Sequence, residues 1–389
     1  MIPYGRQDIN QADIDAVMEV LKSDFLTQGP KVPAFEKAIC DYTGSAHAVA
    51  VNSATSALHI ACLALDVGPG DRVWTSPITF VASANCALYC GAYVDFVDVE
   101  LASGNMCPKA LSKKLALAAE TGVLPKVIIP VHLAGHSCDM QTIGDLAKQY
   151  GIKVIEDAAH AIGGSYQGFK IGACQYSDIT VFSFHPVKII TSAEGGVAAT
   201  QNAQLACSMA SYRSHGITKD PAILLRPDEG DWYYEQHQLG FNYRMTDLQA
   251  ALGLSQLTRL NEFVSKRNKF AKDYKLALSG TDITLIKPMA NSESAYHLML
   301  VILPDIADRK TVFDEMREKG IQVHVHYFPV HLQPFYLNFG FKVGDFPQAE
   351  AFYQRLLTLP LYPTLTTSEF SYIVKNIRLQ LYSLTAINQ

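Results

Sequence analysis

From residue 47 to residue 200 the chain alternates short apolar runs with helical patterns, and this alternation constrains the fold more than any other feature. The runs "AHAVAV", "DRVWT", "AYVDFVDV", "KVIIPVHL", "KVIED" and "YSDITVFSF" read as buried strands. Between them lie amphipathic stretches, such as Leu58, Ala61, Cys62 and Leu65, or Ile143, Leu146, Ala147 and Tyr150 ending at Gly151. Strand and helix in alternation over some 150 residues imply an α/β architecture with a mainly parallel sheet covered on both faces. Ahead of it, Asn10 is placed to cap a helix carrying Ile14, Val17, Met18 and Leu21 on one face, and a second amphipathic stretch holds Val32, Phe35 and Ile39.

The character changes after Thr246. "TDLQ" is a capping box, Thr246 with Gln249, that opens a helix through Leu248, Leu252 and Leu257; a long second helix follows to about residue 278. From residue 296 the order is strand ("YHLMLVIL"), helix (309–319), strand ("IQVHVHYF") and two helical segments. That order suits a smaller C-terminal α+β domain. The division expected is therefore 1–250 for a large α/β domain with an N-terminal arm and 251–389 for the small one, within the range a 389-residue chain permits.

Composition excludes several functions. Lys plus Arg is 32 against 37 for Asp plus Glu, and a net charge of -5 gives no electrostatic reason for a nucleic acid or an anionic membrane as partner. Any anionic ligand must be held locally. The eight cysteines are scattered without Cys-x-x-Cys or zinc spacing, which suits a reducing compartment. No signal-peptide pattern opens the chain, and no run reaches the roughly 18 apolar residues of a membrane span, so the expected location is cytoplasmic.

Three features carry chemistry. "NSATSAL" puts small residues at a strand-to-helix turn, where the first helical N–H groups lack partners and a phosphate can approach; an ordinary capped helix explains the same residues taken alone. In "VIEDAAHAIGG", Asp157 ends an apolar strand at the edge where open α/β sheets bind ligands, a costly place for a bare carboxylate unless it meets a cation or donor. A helix cap is the other reading there. Lys188 lies in "VFSFHPVKIITSAEGG" among Phe182, Phe184, Pro186, Val187, Ile189 and Ile190, so its amine is expected to be buried, with a lowered pKa and a nucleophilic nitrogen. The histidines 324, 326 and 331 raise the question of a metal, but no carboxylate or cysteine accompanies the first two, and none is expected.

Together with "LTQGP", "ITFVASAN", "RSHGI", "LGFNYRMTDLQAALGLSQL" and "VHYFPVH", these motifs resemble, in order and over nearly the whole length, the DegT-type sugar aminotransferases of fold type I, which use pyridoxal 5'-phosphate (PLP). The resemblance implies that Lys188 forms the Schiff base and moves protons, that Asp157 pairs with the pyridine nitrogen, and that Phe80 stacks on the ring. It puts His160 beside the cofactor face and its phenolic oxygen. Ala54, Thr55 and Ser183 would surround the phosphate, with Asn242 reaching the site from the second subunit of a homodimer. For a UDP-sugar substrate it points to Tyr4, to Asp24, Phe25, Leu26 and Thr27, and to His326, Tyr327, Phe328 and Pro329, with Ala54, Ser183 and Asn242 shared. Arg213 and His215 are candidates for a phosphate or for the carboxylate of the amino donor, L-glutamate.

Within the family, "LTQG", "NSATSAL" and "RSHG" look most like the branch that aminates C4 of a UDP-linked 4-keto sugar in pseudaminic acid synthesis. One departure is Ala54, where much of the family has Gly. Other keto sugars linked to UDP or dTDP remain alternatives, as does a non-catalytic PLP-binding regulator, which would need a basic DNA-binding segment that this acidic chain lacks. A sugar 3-dehydratase of the same fold carries His where this chain has Lys188. A nicotinamide enzyme would want G-x-G-x-x-G, which is absent from "NSATSAL".

Overall fold

The computed structural model describes residues 1–305 and 308–387. Two helices open it: α1 (Gln11–Leu21), with Asn10 and Asp13 forming a capping box, and α2 (Lys31–Thr43), which ends on Gly44 in the left-handed region. The alternating segment then gives β1 (His47–Val51), α3 (Ala54–Ala64), β2 (Arg72–Thr75), α4 (Ala82–Tyr89), β3 (Tyr93–Phe96), α5 (Pro108–Thr121), β4 (Val127–Ile129), α6 (Met140–Gln149) and β5 (Lys153–Asp157). A small hairpin of β6 (Ser165–Tyr166) and β7 (Phe169–Lys170) precedes β8 (Ile179–Ser183) and β9 (Gly196–Thr200).

Seven of these strands make one sheet in the order β1-β9-β8-β5-β4-β2-β3. All neighbours are parallel except those of β9, which runs antiparallel to both β1 and β8. The mainly parallel sheet expected from the alternation is thus present. Its strands are apolar on both faces because helices cover both: Ile129, Ile155, Val181 and Ala198 pack against α3 and α4 residues on one side, while Val197, Phe182 and Phe184 join α2 residues Phe35 and Ile39 on the other.

Beyond α7 (Ala203–Arg213) a two-stranded ribbon, β10 (Ile217–Thr218) and β11 (Glu235–Gln236), leads to α8 (Asp247–Leu257), whose Thr246–Gln249 capping box forms as read. The expected boundary at residue 250 falls inside α8, where Ala250 and Ala251 are buried. Next come α9 (Leu260–Ala277), β12 (Thr284–Leu285), β13 (Ser292–Glu293), β14 (Met299–Ile302), α10 (Arg309–Glu318), α11 (Pro334–Leu337), α12 (Pro347–Arg355), β15 (Leu356–Leu359) and α13 (Thr367–Ile387). A three-stranded sheet, β12-β14-β15, has its own core, with Val301, Leu359, Met316, Tyr274 and Ile377. This is the smaller α+β domain.

One expectation needs correction. "IQVHVHYF" is not a strand: among the described residues it makes only isolated bridges, Ile321 to Ile2 of the N-terminal arm and His324 to Thr358 of β15, too few to build a ladder. The helix read at α1 is present, and its apolar stripe is largely exposed. Ile14, Met18 and Leu21 are exposed, while Asp13, held by Arg259, Ser255 and Gln256, is the buried side. Among the described residues no helix is long and apolar enough to cross a membrane.

Candidate active site

The site forms where β5 and β8 end and β9 turns back. Asp157, the last residue of β5, lies opposite Val181 of β8 in the parallel register. Two residues further on, Ser183 ends β8 opposite Gly196, and Gly196 is also opposite Val51 of β1. The antiparallel return of β9 therefore brings Ser183 to the beginning of α3. A Cβ on Gly196 would lie 2.5 Å from the Ala54 nitrogen and 2.6 Å from the Ser53 carbonyl carbon, so only glycine allows this approach. Ser53 caps α3 through the N–H of Ser56 at 3.1 Å, which leaves those of Ala54 and Thr55 without intrahelical partners. Ala54, Thr55 and Ser183 thus share one corner, with helix-start donors suited to a phosphate.

Lys188 lies in the loop between β8 and β9. Among the described residues no hydrogen bond or ion pair holds its amine, and burial lowers its pKa to about 8, against the opposing charge of Asp157. Asp157 itself is fixed at both oxygens. The Ala159 N–H donates to Oδ1 at 3.1 Å and the Ser83 hydroxyl to Oδ2 at 2.5 Å. Ser83 belongs to α4, and one turn earlier Phe80 stands 58% exposed in a stretch whose neighbours Ile78 and Thr79 are buried. An open aromatic face beside a buried carboxylate and an unpaired amine is what a flat heteroaromatic ring requires. The residues present fit PLP.

His160 accepts the Ala134 N–H on Nδ1 at 3.2 Å, and its Nε2 is 3.2 Å from the Tyr327 hydroxyl. A neutral ring with Nδ1 accepting carries its proton on Nε2, so His160 donates to Tyr327. Burial holds the imidazole well below its ordinary pKa, reinforced by the charge of Lys188 and then by His326. Gly135, at φ 94°, makes this packing possible, since a Cβ there would meet the His160 carbonyl and the Tyr296 nitrogen at 2.8 Å. Tyr327 also faces Phe80, ring to ring at 6.3 Å. Burial, with the charges of Tyr4 and Asp157, raises its phenol.

The remaining residues form the rim. The Tyr4 ring packs on His324 and His326 at 5.3 and 5.1 Å, and the two imidazoles stack at 4.4 Å, on one side as their spacing suggests. His326 is buried and bonded to Thr358; Phe328 is exposed and Pro329 buried. Asp24, Phe25, Leu26 and Thr27 form an exposed loop, tied down by a bridge from Thr27 to Thr246. Asn242 is exposed on a segment whose next two residues pair with the end of β1: Tyr243 accepts the Asn52 N–H and Arg244 bridges Val51.

Arg213 does not fit the role considered for it. Its guanidinium is committed to Glu36 at 2.6 Å and to the Ala50 carbonyl at 3.0 Å, which ties α7 to α2 and β1. His215 shapes the chain, at φ 63° with its N–H on the Phe241 carbonyl. Residues the sequence reading passed over are Thr79, Ser83 and His297. The last is buried, with its ring 4.4 Å from that of His160 and its pKa pushed well down by burial. Nothing in "YHLMLVIL" marks His297, but Ser83 lies one helical turn from Phe80 and was open to the same periodicity argument.

Comparison with known proteins agrees with this geometry. A protein from Bacillus subtilis, the spore coat polysaccharide biosynthesis protein SpsC, is 37% identical over 97% of this chain and 96% of its own. The UDP-4-amino-4,6-dideoxy-N-acetyl-beta-L-altrosamine transaminase of Campylobacter jejuni is 36% identical over 96% of each. The structure of Streptococcus pneumoniae Spr1654 in its PLP form superposes with a TM-score of 0.89 at 30% identity, covering 98% of this chain and 99% of that one. The model of the DegT/DnrJ/EryC1/StrS aminotransferase family matches residues 7–378, so the chain belongs to that family and is a PLP-dependent aminotransferase of fold type I.

Proposed function

We propose that the enzyme transfers an amino group from L-glutamate to a keto sugar carried on a nucleoside diphosphate. The observation that carries this reading is the amine of Lys188, unpaired among the described residues, its pKa lowered to about 8 by burial against the charge of Asp157, on a cleft that also presents the exposed Phe80. Bound PLP supplies an electron-accepting ring, anchored through Lys188. Asp157 holds the charge of the ring nitrogen, Phe80 covers one face, and Ala54, Thr55 and Ser183 receive the phosphate. His160, kept neutral, orients Tyr327. Free Lys188, in its neutral form, takes a proton from the α-carbon of the donor, and later returns one to the sugar carbon that bears the new amine. Kinetics are ping-pong.

The sugar nucleotide lies along Tyr4, the 24–27 loop and residues 326–329. On the narrower reading the substrate is UDP-2-acetamido-2,6-dideoxy-beta-L-arabino-hexos-4-ulose, aminated at C4, as the name of the Campylobacter jejuni relative suggests. The Bacillus subtilis relative, 37% identical and named for spore coat polysaccharide biosynthesis, favours the broader reading of another UDP- or dTDP-linked keto sugar. The working form is a homodimer. The exposed stripe of Ile14, Met18, Leu21, Phe25 and Leu26, with Trp232 and Leu239 of the β10–β11 ribbon, is covered by the second copy, whose Asn242 completes each site. The reading places the enzyme in the cytoplasm, where reduced thiols and sugar nucleotides coexist.

The purified enzyme, given glutamate and a panel of UDP- and dTDP-linked 4-keto sugars, is expected to release 2-oxoglutarate only when the right sugar is present, with the product identified by mass and NMR. Lys188→Ala is expected to keep the fold and lose turnover. Near-native turnover by that variant, or no amination of any keto sugar in the panel, removes the proposal.

A further inference from the structure

We infer that Thr79 and Ser83 form a two-hydroxyl relay whose task is to lock the Asp157 carboxylate in the orientation that meets the cofactor's ring nitrogen. The inference rests on the assignment of Asp157 made above. The Ser83 oxygen lies 2.5 Å from Asp157 Oδ2, and the Thr79 hydroxyl lies 2.7 Å from Ser83. All three residues are buried, with Ser83 at 0% and Thr79 at 2%, so bulk water does not compete for these bonds.

The direction of the chain of bonds follows from proton count. An ionised carboxylate only accepts, so Ser83 must donate to it. With its one proton spent, the Ser83 oxygen is an acceptor, and Thr79 donates to it. The competing acceptor for the serine proton, the Phe80 carbonyl one turn back, is 3.3 Å away, the longer and weaker bond. On the other side the Ala159 N–H occupies Oδ1. A carboxylate tethered at both oxygens cannot rotate, and the lone pairs left over keep one fixed direction. Without Ser83, Oδ2 would be free to swing toward Lys188, the cation whose charge it already meets.

The local fold couples this relay to the stacking face. Thr79 and Ser83 are four residues apart across the start of α4 and point beneath the carboxylate, whereas Phe80, between them, is exposed. One turn of chain therefore sets both the plane of the ring and the acid that reads its nitrogen. Ser83 and Thr79 are positioning residues, acting through Asp157.

The test uses holoenzyme variants Ser83→Ala, Ser83→Thr, Thr79→Val and Asp157→Asn, with Ser83→Ala repeated in the Asp157→Asn background. Readouts are the pH titration of the bound cofactor's visible absorption band, the rate of cofactor loss on dilution, and kcat and KM separately, with circular dichroism confirming the fold. Losing one hydrogen bond to a charged group corresponds to about a tenfold effect. Ser83→Ala is expected to shift the band titration, speed cofactor loss about tenfold and lower kcat about tenfold with little change in the KM for the sugar nucleotide. Thr79→Val should show a smaller effect of the same kind, and Ser83→Thr, which keeps the hydroxyl, should restore wild-type behaviour. In the Asp157→Asn background Ser83→Ala should add nothing. A wild-type band titration and cofactor off-rate in folded Ser83→Ala overturns the relay, as do full additivity with Asp157→Asn or equal damage from Ser83→Thr. If Asp157→Asn itself leaves band and turnover unchanged, it is the assignment of Asp157 that fails.

Discussion

Replacing Lys188 with Met, which is unbranched, one atom shorter and uncharged, should make the cofactor-free protein more stable at neutral pH. The amine titrates near 8 in the folded chain against 10.5 for a solvated lysine, with burial the leading cause and the Asp157 charge a partial offset. At about 1.4 kcal/mol per pH unit this corresponds to roughly 3 kcal/mol, and to roughly 2 kcal/mol once the open mouth of the cleft is allowed for. The sign follows from the two titrations. Below about pH 8 the lysine is charged in both folded and unfolded chains, and the folded state bears the whole cost. Between 8 and 10.5 the folded amine has lost its proton while the unfolded one keeps it, so the cost shrinks; above 10.5 both are neutral and it is gone. Thermal unfolding of the two apoproteins from pH 7 to pH 10.5 should show Lys188→Met melting about 2 °C higher at pH 7, with the gap closing toward pH 10.5. A variant that melts lower at pH 7, or a gap that does not change with pH, would refute the claim that the fold carries an unpaired, desolvated amine in readiness for chemistry.

Gly196→Ala places a methyl group 2.5 Å from the Ala54 nitrogen, against backbone that has nowhere to move, and should weaken cofactor binding at least tenfold in an equilibrium titration while lowering the melting temperature. Phe80→Ala removes an already exposed side chain, so the melting temperature of the apoprotein should hold while the cofactor dissociation constant rises about fivefold, a stacking interaction of about 1 kcal/mol. Arg213→Lys breaks the geometry that joins Glu36 and the Ala50 carbonyl. It should lower stability by about 1–2 kcal/mol in urea unfolding yet leave the KM for glutamate within twofold, the opposite of what a donor-carboxylate site would give.

How much of this could be read from the sequence depended on whether a residue's role is local. The alternation of β1 to β5 with α3 to α6 is a local signal repeated many times, and so are the N-cap at Asn10 and the capping box at Thr246, both of which form. The expectation for Lys188 also came from near neighbours: Phe182, Phe184 and Ile189 are buried, and the residue itself is half-buried with burial lowering the pKa of its amine. What stayed out of reach, or was misread, is what a non-local partner decides. Which side of α1 is buried could not be read locally: it is the side of Asp13 and Val20, and Asp13 meets Arg259 and Gln256 some 240 residues later. "IQVHVHYF" alternates like a strand, but its pairing partners are single residues at positions 2 and 358.

The same distinction explains why the site was legible in its reactive groups and not in their supports. A reactive group must be a residue type with the right chemistry, and lysine, aspartate and histidine stand out in an apolar run. Supports are ordinary serines, threonines and glycines whose meaning is given by register. Gly196 matters because β9 lies between β1 and β8, and its register sets Gly196 opposite both Ser183 and Val51, closing the corner around the start of α3. Had β9 run parallel to β8, the loop carrying Lys188 would have needed a crossover helix to return, and the amine would stand farther from Asp157. The short antiparallel return thus keeps the loop that carries Lys188 at the end of β8, the same end of the sheet as Asp157 and the start of α3.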